Sequence, residues 1–265
     1  VLKLDELGNL TKKSRIGWST LMGSLGNLMS EEYFFERNAY LEKRILEMEQ
    51  KLAASNAPLP KKMTYQFSLF RETYQHLLIR YSLEDEVSEL DFYFERVLGA
   101  LEKYRNISVE VAKPSQYVFP KFAELDDYVV SMWLISLAIA LDINEAKFTR
   151  LIDCIGNIGQ DVLFERLVAT RVNGRPPGVT LAFPSVYQSL YKAIDATEPE
   201  RGQLVRQFLI GWYGNMEPTY WYDCHKGPDG GGFFGYWALE VVGVVKAFDI
   251  DDGAFSDLPH YPKFK

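Results

Sequence analysis

Apolar side chains recur with a helical period three times before residue 106. The cleanest stripe is Val87, Leu90, Phe94, Val97, Leu98, Leu101 and Tyr104. Spacings of three and four place these residues on one face of a 3.6-residue helix, a face that other helices must cover. An earlier stripe, Leu41, Ile45, Met48 and Leu52, ends at Asn56, Pro58 and Pro60; a second runs through Phe67, Phe70, Tyr74, Leu77, Leu78 and Tyr81. Short connections and charged outer faces make the three antiparallel neighbours. Further helices are expected over 125–141, 145–155 and 161–170, around Val186, Leu190 and Ile194, and around Leu204, Phe208, Leu209 and Trp212. A last helix should carry Trp237, Val241, Val244 and Phe248 on one face. Long alternating strand patterns are missing. The expected fold is therefore all-α: a multi-helix bundle in which N-terminal antiparallel helices pack on a larger C-terminal helical part. Residues 106–123 lose the helical period and contain Pro114 and Pro120, which marks a linker. The organisation read from this is a segment 1–36, an N-terminal helical part 37–112 and a C-terminal helical part 113–265.

The 265 residues are 47% hydrophobic, enough for a substantial core. A net charge of −7 argues against binding nucleic acid, which requires clustered Lys and Arg. An acidic surface suits solubility, and equally a basic protein partner drawn in by its field. Two cysteines, Cys154 and Cys224, are too few for a disulfide framework or a zinc cluster and fit a reduced, cytoplasmic chain. The apolar run Val129 to Leu141 is broken by Ser131 and Ser136 and falls short of the roughly 20 residues a membrane span needs. Lys12, Lys13 and Arg15 precede a mildly apolar stretch to Met29, loosely like a leader; glycines dilute it, and no small-residue cleavage site follows.

The least generic part of the chain lies between Trp212 and Trp237. It holds three tryptophans, four tyrosines and two phenylalanines, interleaved with Asp223, His225 and Asp229. Such rings bury a large body and keep a polar tip that needs a partner. Glu240 follows Trp237 by three positions, on the same side of the expected helix, so its carboxylate should be partly buried and need a donor. His225, ring tips of the preceding loop or a backbone amide would serve. The segment reads as amphipathic rings tied to a helix by a few polar bonds.

Several strings imitate catalytic motifs. Gly230, Gly232 and Gly235 match G-x-G-x-x-G, but a dinucleotide fingerprint must leave a buried strand, and an aromatic loop precedes this one. Asp249, Asp251, Asp252 and Gly253 evoke a calcium loop, yet the turn glycine falls one position early and His260 stands where a bidentate Glu belongs. Glu145-Ala146-Lys147, with Asp126 and Asp127 upstream, lies on expected helices, not on the adjacent strands of a nuclease metal site. His76, His225 and His260 have no metal-ligand spacing. No cofactor or metal site is expected. Cys224 beside His225 evokes a nucleophile pair, but catalytic partners usually come from separate segments.

A wider pattern carries a resemblance. Asp127-Tyr128-Val129 with Trp133 and Ser136 leads to Asp161, then to Trp212-Tyr213, Trp221-Tyr222-Asp223 with His225, and Phe234-Gly235-Tyr236-Trp237 with Glu240. Ile250-Asp251-Asp252, Asp257 and Tyr261-Pro262 close it, and Arg80-Tyr81-Ser82 with Val87-Ser88-Glu89-Leu90 echoes it upstream. From about Arg37 to Pro262 the chain resembles the PoNi family, immunity proteins of polymorphic nuclease toxins, which neutralise DNA-cleaving toxins delivered between bacteria. Lys263-Phe264-Lys265 departs from the Lys-Asp-Leu that usually follows Tyr-Pro there. The resemblance implies an all-helical cytoplasmic protein without enzymatic activity or cofactor, whose partner is a cognate nuclease toxin. It implies no nucleic-acid or membrane partner, and self-association stays open.

A motif shared by a family supports its shared fold, whereas partner choice must vary. Trp212, Trp221, Tyr222, Asp223, His225, Gly235, Tyr236, Trp237 and Glu240 are therefore read as scaffold. Toxin contacts are expected at acidic clusters: Glu84, Asp85, Glu86 and Glu89; Glu124, Asp126 and Asp127; and Asp249, Asp251 and Asp252. Each would also serve as a helix start or solvated face. Two other readings stand beside the immunity protein: a hydrolase using Asp223, His225 and Glu240, and a helical scaffold or regulator without a toxin.

Overall fold

In the computed structural model, which describes residues 28–83, 87–113 and 118–263, Ser30 accepts a hydrogen bond from the Tyr33 amide at 3.2 Å and starts helix α1, Glu31–Ala54. Glu31 and Glu32 in its first turn suit the positive end of the helix dipole. Pro58 and Pro60 close the connection and open α2, Leu59–Ser82, where a missing amide costs nothing. Helix α3, Val87–Val111, completes the N-terminal layer. His76 bonds Asn38 at 2.9 Å and Glu72 bonds Arg44 at 3.1 Å, so α1 and α2 run antiparallel. Gln66 donates to the Ala100 carbonyl at 3.1 Å from the other side of α2. Sandwiched between two neighbours, α2 is buried nearly all round along its second half.

The C-terminal part is built on α4, Leu125–Ala140, whose residues from Asp127 onward are all buried. Helix α5, Glu145–Ile155, is capped by Asn144, which accepts from the Lys147 amide at 2.9 Å. It ties the layers together: Lys147 reaches Asp91 at 3.0 Å, and Arg150 forks onto Glu102 at 2.7 and 2.8 Å. Asp161 caps α6, Val162–Ala169, at 2.7 Å and also accepts from Tyr128 and the Ala182 amide. Helices α7, Pro184–Ala193, and α8, Glu200–Asn215, pack as a pair. Arg201 of α8 donates to the carbonyls of Ala193, Ile194 and Ala196 where α7 ends, satisfying groups the helix leaves open. The last helix, α9, Leu239–Ala247, lies against α4. One contiguous apolar core runs from Phe34 to Tyr261.

The all-α expectation is borne out: among the described residues the only β-type pairing is a single bridge between Asp161 and Thr180. Two details differ. Helix α3 continues to Val111 instead of fading at 106, because Ile107, buried Ser108 and Val111 keep one face on the core. The β-branched residues around them mask that period in sequence. The final helix begins at Leu239, two residues later than expected. The Ala238 amide bonds the His260 carbonyl at 2.9 Å and the Trp237 indole bonds Ser82 at 2.9 Å, which holds that stretch outside the helix. The 1–27 leader-like stretch lies outside the described residues.

Candidate functional site

Glu240, in the first turn of α9, is fully buried, and its carboxylate is the hub of the C-terminal part. Oε1 accepts from Trp212 Nε1 at 2.8 Å and Tyr187 Oη at 3.1 Å; Oε2 accepts from Trp133 Nε1 at 2.8 Å. Three helices, α4, α7 and α8, thus each send one ring tip to one carboxylate. Burial pushes the Glu240 pKa up from 4.5 to about 7, while the three donors pull the other way. Tyr187 is itself sealed, and burial raises its phenol well above the ordinary range. The expected partners were His225, ring tips of the preceding loop or a backbone amide. The structure uses ring tips, but all three sit on helices, and Trp133 and Tyr187 lie far upstream in the chain.

Around this hub the aromatic segment packs ring on ring. Trp212 stacks on Trp221 with centroids 5.6 Å apart, and Trp133 meets Trp221 at 5.3 Å. Tyr213 lies against Tyr222 at 4.7 Å and Tyr236 at 4.9 Å. The glycine-rich loop is drawn onto α1, where the Tyr33 hydroxyl donates to the Phe233 carbonyl at 2.8 Å. Gly235 adopts φ +105, and a Cβ there would come within 2.3 Å of Trp237 Nε1. Only glycine fits that approach.

Asp223, His225 and Glu240 do not converge. Asp223 accepts from Tyr213 at 2.7 Å and Lys226 at 2.7 Å; the Lys226 contact, then Tyr213, holds its carboxyl below the usual range. His225 Nδ1 pairs with Tyr236 Oη at 2.8 Å. Cys224 Sγ also reaches Tyr236 Oη, at 3.6 Å, and burial pushes its thiol up, opposite to what an activated nucleophile needs. Among the described residues no three His, Cys, Asp or Glu side chains converge to hold a metal ion.

The acidic clusters are placed unevenly. Glu84, Asp85 and Glu86 lie outside the described residues. Glu89, Glu124, Asp249, Asp251 and Asp252 are exposed, and Asp126 is half-buried. Asp251 accepts from the Gly253 amide at 3.0 Å and Asp252 from Tyr261 at 3.1 Å, as turn and tail supports. Asp127 corrects the expectation of a surface carboxylate. It is 6% exposed and turned onto the Lys121 amide at 2.7 Å, because the chain entering α4 needs that acceptor. Sequence reasoning missed another buried carboxylate, Glu165, which pairs with Arg175 through two 2.8 Å bonds. Its signal was weak: an acid in the first turn of a short apolar helix.

What these elements define is an all-α protein whose central carboxylate and ring tips bond to one another inside the fold. The chain belongs to the PoNi family. The N-terminal model of PoNe immunity proteins matches residues 26–153, and the C-terminal model matches residues 159–264. The resemblance seen in the motif string is borne out across both halves, and the protein is a member of an immunity-protein family. Its fold is similar to that in the crystal structure of protein PA2201 from Pseudomonas aeruginosa. The TM-score is 0.65 at 15% identity, over 88% of this chain and 86% of that one, a likeness of fold alone. No curated protein matches the sequence. Among the described residues no helix is long and apolar enough to cross a membrane.

Proposed function

We infer that this protein is the antitoxin of a DNA-cleaving toxin of interbacterial competition, which it binds and inhibits stoichiometrically without catalysing any reaction. The observation that carries this reading is the family match over both halves of the chain. The geometry supports it. A hydrolase would need Asp223, His225 and Glu240 around one reacting atom, whereas Glu240 is sealed beneath three donors and the other two are bonded elsewhere. The net charge of −7 suits a partner whose own surface is built to hold DNA phosphates. The protein would act in the cytoplasm, where the DNA under attack lies.

A blocker and an enzyme differ in stoichiometry. An interface of roughly 1,600 Å² with a few well-packed anchors suffices for tight inhibition. The reading expects a nuclease toxin encoded beside this protein; titrating that toxin, with plasmid cleavage as the readout, should give inhibition that saturates near one equivalent. A folded His225→Ala variant should protect as well as wild type. Protection far below one equivalent, lost in folded His225→Ala, would sink the reading in favour of an enzyme. Failure of wild type to inhibit at any ratio would favour a helical scaffold without a toxin.

A further inference from the structure

Between α2, the entrance to α4 and the loop after α8 lies an open cavity of about 410 Å³. Its inner wall is aromatic. Phe119 packs on Phe70 at 5.1 Å and on Phe67 at 5.9 Å, and Tyr74 continues from Phe70 at 5.5 Å. Tyr220 forms one side. Its hydroxyl hydrogen-bonds that of Tyr74, yet the side chain remains 48% exposed. The mouth is acidic: Glu124 is exposed, and Asp126 is half-buried with Oδ1 accepting the Tyr220 amide at 3.0 Å. The Arg71 guanidinium, also in the lining, lies over the Tyr220 ring, 5.8 Å from its centroid.

The lining selects its occupant by chemistry. An apolar ligand would strip water from Glu124 and Asp126 and give them nothing in return. An anion would find one cation, Arg71, but would meet the two carboxylates Glu124 and Asp126 at the mouth. A guanidinium satisfies both surfaces: its flat face stacks on the exposed Tyr220 ring, its N–H fork meets a carboxylate, and its weak hydration makes entry cheaper than for an ammonium. Arg71 already places such a group on Tyr220, and among the described residues neither Arg71 nor Glu124 has an ion-pair partner. Burial raises the Asp126 carboxyl above its usual range, and the neighbouring charges of Asp127 and Glu124 raise it further, the mark of a negative field that a cation would relieve.

We propose that this pocket receives one arginine side chain of the cognate toxin, clamped between the Tyr220 face and the carboxylates of Glu124 and Asp126. The proposal rests on the immunity reading above. A DNA-cleaving toxin uses arginines on phosphates, so an arginine held here would be withdrawn from DNA.

Two arms test it on the whole protein. In the first, N-acetyl-arginine methylamide is titrated against the isotope-labelled protein, with the uncharged N-acetyl-citrulline methylamide as control. The arginine probe should shift the backbone amide signals of Asp126 and Tyr220 saturably, in the range on the order of millimolar expected for one side chain, and citrulline should not. Glu124→Gln with Asp126→Asn keeps the shape of the mouth and the acceptor for the Tyr220 amide, and should abolish the response. Arg71→Gln removes the competing cation and should tighten it several-fold. In the second arm, a catalytically inactive form of the neighbouring nuclease is measured by calorimetry. The double variant, with unchanged melting temperature, should lose about tenfold or more in affinity, and Arg71→Gln should gain. Equal response to arginine and citrulline would overturn the proposal whatever the toxin does. Unchanged toxin affinity in the double variant would overturn it while leaving the immunity reading intact. A wild type that binds no nuclease would instead remove the immunity reading itself.

Discussion

Replacing Glu240 by Gln tests the network at the centre of the fold. Trp133 and Trp212 donate to opposite oxygens of the carboxylate, each at 2.8 Å, and an indole N–H can only donate. A glutamine presents one oxygen and one NH₂ group, so whichever way it turns, one buried indole faces a donor. A buried polar group left without its partner costs about 1–3 kcal/mol. At about 2–4 °C per kcal/mol for a chain of this size, the melting temperature should fall by roughly 2–12 °C. The loss should depend on pH. Burial raises the Glu240 pKa from 4.5 to about 7, so the fold prefers its protonated form. That preference is fully present below pH 4.5 and is lost as pH rises through about 7. At about 1.4 kcal/mol per tenfold change in proton affinity, it amounts to about 3 kcal/mol. Glutamine does not titrate, so the gap between wild type and variant should be widest near pH 5 and close towards pH 8. Thermal melts of both proteins across that range, followed by far-ultraviolet circular dichroism, supply the measurement. An unchanged melting temperature at pH 5 would refute the three-donor network. A gap that widens with pH would show the carboxylate held ionised, with the donors outweighing burial.

Two further substitutions probe how tightly the parts fit. In Gly243→Ala the new Cβ would lie 2.3 Å from Ser136 Oγ and 2.7 Å from its Cα, forcing α9 off α4 at a net cost of about 1–3 kcal/mol. Gly99→Ala in α3, with nothing within 4 Å of the added atom, should instead stabilise by about 0.5–1 kcal/mol; urea unfolding of the pair gives both signs. Arg175→Met strands the Glu165 carboxylate, 3% exposed, with only the Gly159 amide at 2.8 Å, and should cost about 3–5 kcal/mol in the same assay.

Local signals were legible wherever a segment carries its own reason for folding. Asn144 before Glu145, followed by Phe148, Leu151, Ile152 and Ile155, fixes α5 because cap and apolar stripe agree. Glu240 shows where local reasoning stops. That an acid in an apolar stretch needs donors follows from its desolvation; that they would be Trp133, 107 residues away, and Tyr187, 53 away, follows only from how α4, α7 and α9 meet. The cavity beside Tyr220 was invisible for the same reason, since Phe67, Phe119 and Tyr220 come from three separate segments and each looks locally like core. Surface recognition is harder still. Glu89 and Asp249 are solvated acids at helix ends, and a sequence reads the same whether such a carboxylate meets water or a partner's cation. Asp126 differs because the fold, not its neighbours in sequence, sets it beside an aromatic wall. The proposed arginine pocket of this protein is therefore sought where charge and ring faces converge in space and not where acids cluster along the chain.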